Sequence, residues 1–211
     1  MVWENEEMEI ELKYRIPDQQ TAERIWENEL FADMEEEDSR EELNLHALYF
    51  DTEDLDLAAS RIAYRIRKEG EHYIATVKWK GKSEEGLHSR EELSCHVPDE
   101  NPDLELFCES EIGDELKEVI DGKELKTIME IGIQRCRYRI DTGEAILEVS
   151  VDSGSVEAGG GSEPILEAEI ELFTGDTGEL LRIGRKMQKQ YDLVPEDTTK
   201  YAKGIELISR G

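Results

Sequence analysis

Residues 9–13 read Glu9-Ile10-Glu11-Leu12-Lys13, and this stretch decides the fold. Because side chains alternate between the two faces of a β-strand, both glutamates and the lysine share one face and the two apolar residues share the other. In a single strand, the ordinary explanation is a charged face in water and an apolar face in the core. The same alternation returns in several later segments with the charges sorted by sign, which favours a different explanation.

The 211-residue chain is strongly acidic, with 53 aspartates and glutamates against 25 lysines and arginines and a net charge of -28. Such a surface repels nucleic acid and anionic membranes, so we expect no nucleic-acid partner and no membrane partner. We also expect no membrane span, because no apolar run approaches roughly 18 residues, and no signal peptide. The three widely spaced cysteines indicate reduced thiols, so we expect a cytoplasmic protein.

Alternating apolar residues and turn signals predict seven or eight strands with few helices between them. The predicted strands cover residues 8–16, 43–51, 61–68, 72–80, 87–97, 125–140, 145–151 and 164–173. Helices are predicted over residues 18–30, 103–121 and 178–190, and the tail over 198–208 is a short helix or strand. Tight turns join most of the strands, which is typical of one antiparallel barrel or sandwich with helices outside and at the ends.

One face of each predicted strand carries charges that are mostly of one sign. These faces hold Arg65 and Arg67; Lys78 and Lys80; His88, Arg90 and Glu92; Arg135, Arg137 and Arg139; Glu148 and Asp152; and Glu167, Glu169 and Glu171. If the apolar faces pack outward against helices, the charged faces line the inside, where unpaired charge of one sign is costly. The pattern is therefore expected in a wet interior that holds a polyanion, bound by arginines and lysines, together with a divalent metal bound by carboxylates.

These residues resemble the CYTH superfamily, the triphosphate tunnel metalloenzymes, over nearly the whole chain. The motifs are E-x-E-x-K at 9–13, R-x-R at 65–67, T-x-K at 76–78, R-x-E at 90–92, E-x-E-x-E at 167–171 and T-K-Y-A-K-G at 199–204. The G-L-H-x-R segment at 86–90 looks most like the bacterial inorganic-triphosphatase branch. The resemblance implies an α+β fold, in which a closed eight-stranded antiparallel β-barrel forms a tunnel. It also implies one domain over residues 1–211, without the helical CHAD domain that often follows in that branch.

The resemblance further implies roles for individual side chains. The implied metal ligands are Glu9, Glu11, Asp152, Glu167 and Glu169. The implied triphosphate-binding cations are Lys13, Arg65, Arg67, Lys78, Arg90, Arg135 and Lys200, with Arg137 as a plausible extra member. The residues expected to be needed for catalysis are Glu9, Glu11, Lys13, Glu169 and Lys200. Glu92 and Glu148 match acidic tunnel positions, whereas Lys80 and Arg139 match nothing and are expected to be surface charges.

The implied activity is hydrolysis of inorganic triphosphate to pyrophosphate and phosphate with Mg²⁺ or Mn²⁺, by a monomer or homodimer. Other triphosphate-containing small molecules remain open as substrates, as in the thiamine triphosphatases and class IV adenylate cyclases, which share the scaffold. A non-catalytic polyphosphate-binding module is a further alternative, and an acidic sandwich with solvated faces is another.

The remaining candidates are expected to be structural. No histidine shows metal-ligand spacing, and only His88, which shares a face with Arg90, draws attention. We expect the aromatic residues Tyr14, Trp26, Tyr49, Trp79 and Tyr138 to pack outside the barrel.

Overall fold

The protein, seen in a computed structural model that describes residues 5–211 and side chains from Met8 onward, has nine strands and five α-helices in the described chain. The strands are β1 (Asn5–Arg15), β2 (Glu41–Asp51), β3 (Ala63–Glu69), β4 (His72–Glu84), β5 (Leu87–Val97), β6 (Lys126–Asp141), β7 (Ala145–Ala158), β8 (Gly161–Gly175) and β9 (Val194–Pro195). The α-helices are α1 (Gln19–Glu27), α2 (Asp56–Ala59), α3 (Gly113–Ile120), α4 (Thr177–Tyr191) and α5 (Lys200–Arg210). Short 3₁₀ turns cover Ala32–Met34 and Leu104–Phe107.

The first eight strands close into an antiparallel barrel, as the sequence predicts. The strand order is β5-β4-β3-β2-β6-β7-β8-β1, and β5 pairs with β1 to complete the circle. In this register Glu9 lies opposite Arg90, and Lys13 lies opposite Glu169. Closure satisfies the backbone groups of every barrel edge. It also turns one face of each strand inward, which is what positions the site.

Two apolar clusters cover the outside of the barrel. The first packs α1 and α4 against the outward residues of β1, β7 and β8, including Leu12, Val149 and Ile170. The second packs α2 and α3 against β3, β4 and β5. A Cβ on Gly184 of α4 would lie 2.2 Å from Leu12 Cδ1, so this glycine allows the helix to approach β1 closely. The outer packing therefore leaves the inward faces free for charge.

Helix α5 packs against the inward side of one end of the barrel. Its apolar residues join Met129 and Ile131 of β6 and Val156 of β7, which face the same way as the tunnel charges of those strands. A Cβ on Gly204 would lie 2.4 Å from Met129 Sδ, so the contact is close. The tail that the sequence leaves open as helix or strand is thus a helix that closes off part of the interior.

Several boundaries differ from the sequence predictions. Strand β7 runs on to Ala158 and β8 begins at Gly161, so only the turn Gly159-Gly160 separates them. The expected end at residue 151 is too early, because a Ser-Gly-Ser run has weak strand propensity that pairing with β6 and β8 overrides. The helix expected over 103–121 is a 3₁₀ turn followed by the shorter α3. Between residues 5 and 211, no helix has the length and apolarity to cross a membrane.

Candidate active site

The inward faces of the barrel enclose a cavity of about 810 Å³ that is lined by many charged side chains together with apolar ones. Its lining includes the predicted residues Glu9, Glu11, Lys13, Arg65, Arg67, Lys78, Arg90, Arg135, Arg137, Glu169 and Lys200. Glu92, Glu148 and Glu171 also line it. The other two predicted carboxylates, Asp152 and Glu167, are almost completely buried just behind this lining. The barrel thus brings together charges that are up to 191 positions apart in the sequence.

The two glutamates of β1 are held by cations from β4 and β5. Lys78 Nζ lies 3.0 Å from both carboxylate oxygens of Glu9, and Arg90 donates hydrogen bonds to Glu9 and Glu11. Burial alone would raise the pKa of Glu9, but Lys78 and Arg90 outweigh it and hold that pKa far below its ordinary value. Glu9 is therefore ionised, and its oxygens are available to a cation that displaces these partners.

Three further carboxylates, Asp152, Glu167 and Glu169, form what we call the carboxy-terminal acidic group. Arg135 binds both oxygens of Asp152 at 2.7 Å and also reaches Glu169 at 2.6 Å. The Nζ of Lys200 lies 2.8, 3.0 and 2.7 Å from Asp152, Glu167 and Glu169, in that order. Three carboxylates and two of their cations thus form one buried network.

Lys13 completes this network from β1. Its ammonium lies 2.9 Å from Glu169 and 3.6 Å from Glu11, so it joins the two acidic parts of the tunnel. Burial alone would lower the pKa of Lys13, but the charges of Glu11 and Glu169 outweigh burial and raise it. The lysine of the first motif is thus a fixed cation at the centre of the site.

Arg65 and Arg67, which we call the arginine pair, differ in how well their charge is compensated. Burial alone would lower the pKa of Arg65, but Tyr49 and Glu92 outweigh it and raise that pKa, whereas Arg67 has an ion pair with Glu69. The Nε atoms of both are buried and have no hydrogen-bond partner among the described residues. Burial and the neighbouring guanidinium of Arg65 lower the pKa of Arg67 to about 10, although Glu69 opposes the shift. A buried guanidinium that is this poorly compensated favours an anion in the cavity.

The opposite deficit lies across the cavity, at what we call the amino-terminal acidic group, Glu9, Glu11 and Glu171. Glu171 faces Glu11 on one neighbouring strand and Glu148 on the other. Burial and the charges of Glu9 and Glu11 raise the pKa of Glu171 to about 8. Crowded carboxylates of this kind favour a cation that would let all of them ionise.

The donors of the amino-terminal acidic group fit a hard divalent cation, since all of them are carboxylate oxygens. As the side chains stand, however, Glu9 and Glu11 turn toward lysines and arginines. No three histidine, cysteine, aspartate or glutamate side chains of residues 8–211 converge closely enough to hold an ion. A metal at this site would therefore replace existing ion pairs.

Some side chains lie away from the cavity centre or face a different way from the prediction. Arg137 is at the rim, where it binds Glu41 at 2.5 Å. Lys80 and Arg139 are about half exposed, as expected for surface charges. The expectation for Tyr49 is wrong, because this residue lines the cavity instead of packing outside. Its position follows from the alternation of β2, in which the outward neighbours fill the outer core.

Sequence reasoning missed Lys203, which is nearly buried and lies 2.5 Å from Glu167. Its spacing is a signal, because residues three apart on a helix share a face and Lys200 is among the predicted cations. The alternation of β8 predicts the correct face for Glu171, but the predicted metal ligands do not include it. Its crowding with Glu11 depends on strand register, which a sequence does not reveal.

Comparison with known proteins gives the same fold. The CYTH domain matches residues 7–205 of this chain. A solved structure from Hippeastrum, of a protein named as an adenylyl cyclase and reported to have a dominant triphosphatase activity, superimposes with a TM-score of 0.68. It is 22% identical and covers 94% of this chain and 95% of its own.

The RNA triphosphatase domain of the mimivirus mRNA capping enzyme superimposes with a TM-score of 0.53 at 13% identity, over 88% of this chain and 90% of that one. At these identities the two structures establish a shared fold. In sequence, the chain is 27% identical over 167 residues to an inorganic triphosphatase of Haemophilus influenzae. The match covers 77% of this chain and 45% of that relative, so the chain spans about half of the relative's length.

Proposed function

Because the chain belongs to the CYTH domain family, we propose that it is a metal-dependent phosphohydrolase that cleaves inorganic triphosphate into pyrophosphate and phosphate. The observation that carries the proposal is the pair of opposite charge deficits within one cavity. Arg67 is short of negative charge, and Glu171 is short of positive charge. A triphosphate that enters together with a divalent cation would remove both deficits at once.

In this proposal Glu9 and Glu11 hold a Mg²⁺ or Mn²⁺ ion, with Glu171 as an additional ligand. The bound ion would supply Lewis acidity toward a phosphoryl oxygen. The two cations that now bind Glu9, Lys78 and Arg90, would then be released to bind phosphate oxygens. The carboxylates would exchange their cationic side chains for the metal, and those side chains would exchange the carboxylates for phosphate. Because every charge keeps a partner in both states, the ion-paired network can exist before substrate and metal bind.

The remaining cations bind and orient the triphosphate. The arginine pair offers its two Nε atoms, which have no hydrogen-bond partner in the described part of the chain. Lys13, Arg135 and Lys200 line the same cavity. Fixed cations of this kind stabilise the charge that develops on phosphoryl oxygens during in-line transfer without having to reorganise. No covalent enzyme intermediate is required.

The carboxy-terminal acidic group differs from the amino-terminal one because its carboxylates already have more cations around them than they number. Three carboxylates there face Lys13, Arg135, Lys200 and Lys203, so four cations already surround them. In this proposal Asp152, Glu167 and Glu169 would hold a second metal ion, which would supply activation of the attacking water. For a metal to bind there, the lysines would have to release the carboxylates and bind phosphate oxygens instead.

An organic triphosphate is the second candidate substrate, and one observation favours it. Met8 and Phe173 both line the cavity, and they are 58% and 43% exposed, so they lie where the cavity opens to solvent. An apolar mouth next to a charged interior could cover an organic group attached to the triphosphate.

A side-by-side assay of inorganic triphosphate, ATP and thiamine triphosphate tests the substrate assignment. We expect the highest kcat/KM with inorganic triphosphate. A higher value with either organic substrate would assign the site to that substrate instead. Tight binding of all three without release of phosphate would indicate a non-catalytic polyphosphate-binding module.

A further inference from the structure

We propose that His88 is a positioning residue that fastens residues 194–199, which we call the strap, and thereby sets Lys200 in the cavity. The inference deepens the proposed function and rests on it, because Lys200 is one of the cations assigned to the triphosphate. His88 lies in the G-L-H segment that the sequence analysis singled out, and no step proposed above uses it.

His88 is 3% exposed and lies on the inward face of β5, opposite Glu11 of β1. Its Nε2 is 2.7 Å from the carbonyl oxygen of Glu196 in the strap. A carbonyl oxygen can only accept a hydrogen bond, so Nε2 carries the proton and donates. The imidazole thus connects the barrel wall directly to the strap backbone.

Two further contacts fasten the strap at the same place. The Glu196 backbone N–H donates to the Lys13 carbonyl at 3.0 Å, and the Gly86 N–H donates to Asp197 Oδ1 at 2.7 Å. Gly86 has a φ of 81°, and a Cβ there would lie 2.6 Å from the Lys13 carbonyl oxygen. Glycine is therefore needed for the β4–β5 turn to reach β1 and the strap together.

The strap leads directly into the first residue of α5. The Thr198 N–H donates to Glu196 Oε1 at 3.0 Å, and Thr199 caps the helix by accepting from the Ala202 N–H at 3.0 Å. Lys200 follows at once. Only three residues separate Lys200 from the residue that His88 holds, so the strap backbone determines where the ammonium group lies.

The test compares two variants of similar shape, His88→Gln and His88→Met. A glutamine amide retains a donor near the position of Nε2, whereas methionine has none. The readout is the Kd of inorganic tripolyphosphate, measured by calorimetry in EDTA so that metal binding does not contribute. We expect His88→Met to raise the Kd roughly fivefold, as expected for loss of one buried hydrogen bond, and His88→Gln to stay within about twofold of wild type.

A matched control and a double-mutant cycle separate positioning from general destabilisation. His46→Met, at an exposed histidine that pairs with Glu130 on the outer surface, should leave the Kd unchanged. In a Lys200→Ala background, His88→Met should change the Kd by less than about twofold, since its effect passes through Lys200. Equal effects of methionine and glutamine, or a full effect without Lys200, would overturn the proposal.

Hydrogen exchange of the backbone amides gives a readout that does not depend on the proposed function. Amides of the strap and the first turn of α5 should exchange faster in His88→Met than in His88→Gln. If wild type failed to bind tripolyphosphate, the proposed function would be wrong. The exchange rates of His88→Met and His88→Gln would still show whether His88 holds the strap in place. If His88→Met did not fold, Asp197→Ala, which removes the neighbouring contact, should show the same faster exchange, and unchanged exchange there would refute the strap.

Discussion

Most charged side chains of the tunnel lie beside an opposite charge from another strand or from α5. Glu9 has Lys78 and Arg90, and Asp152 has Arg135 and Lys200. Period-2 alternation predicts which residues face inward, and that part of the site could be predicted from the sequence. Which partners meet depends on barrel register, which no local pattern encodes. The crowding of Glu171 could therefore be found only in the structure.

Glu171 gives a pH prediction for the metal-free protein. Its pKa of about 8 is raised above the ordinary glutamate value of 4.5, so the folded state keeps this proton longer than the unfolded state does. The folded state consequently loses stability as pH rises through the window from about 4.5 to 8. Glu171→Gln removes this loss and should be more stable than wild type by up to about 5 kcal/mol at pH 9, and about equal at pH 4.

Urea unfolding in EDTA at the two pH values measures this difference. Glu91→Gln is the control, because Glu91 pairs with Lys80 on the outer surface and should show little pH-dependent change. An equal difference between Glu171→Gln and wild type at pH 4 and pH 9 would contradict the crowding of the amino-terminal acidic group.

Helix α5 is the element that the sequence described least well. Its residues suit either a short helix or a strand, and the Thr199 cap together with packing against Met129 and Val156 favours the helix. The two lysines at its start both point to the carboxy-terminal acidic group. Packing of the apolar residues and pairing of Lys200 and Lys203 therefore depend on each other.

Breaking one of these pairs should loosen α5. Lys203→Met leaves Glu167 with one cation fewer in a buried position, and such a loss costs about 3 kcal/mol. The free energy of unfolding in urea measures it, with Lys189→Met on the exposed face of α4 as the control. If the two substitutions cost the same, the buried pair would contribute nothing to holding the helix.

The molecule as a whole separates its charges into a compensated interior and an acidic exterior. The net charge of -28 arises mainly outside the tunnel, where self-repulsion opposes folding. The sign-sorted faces favour a shared interior, and the resemblance to the CYTH superfamily implies that the sheet closes into a barrel. The extent of β7 and β8 could not be predicted, because it follows from pairing on both sides and overrides the local Ser-Gly-Ser signal.

Salt should therefore stabilise the protein by screening its surface. At pH 7 we expect the Tm to rise by roughly 3 °C or more between 0.05 and 1 M NaCl, which is about 1 kcal/mol for a domain of this size. Calorimetry measures the shift, and repeating it near the pI of about 4.4 should give a much smaller one. A Tm that is independent of salt at pH 7 would contradict surface self-repulsion.

The most direct test of the central claim is release of phosphate from inorganic triphosphate, measured in parallel with Mg²⁺, Mn²⁺ and EDTA. We predict one phosphate per triphosphate with at least one of the two metals and none with EDTA. Glu9→Gln and Glu169→Gln, checked for correct folding, should lower the rate by about 100-fold or more, as expected for charged groups at a reaction centre. Wild-type rates in these variants, or equal release in EDTA, would contradict metal-dependent hydrolysis inside the tunnel.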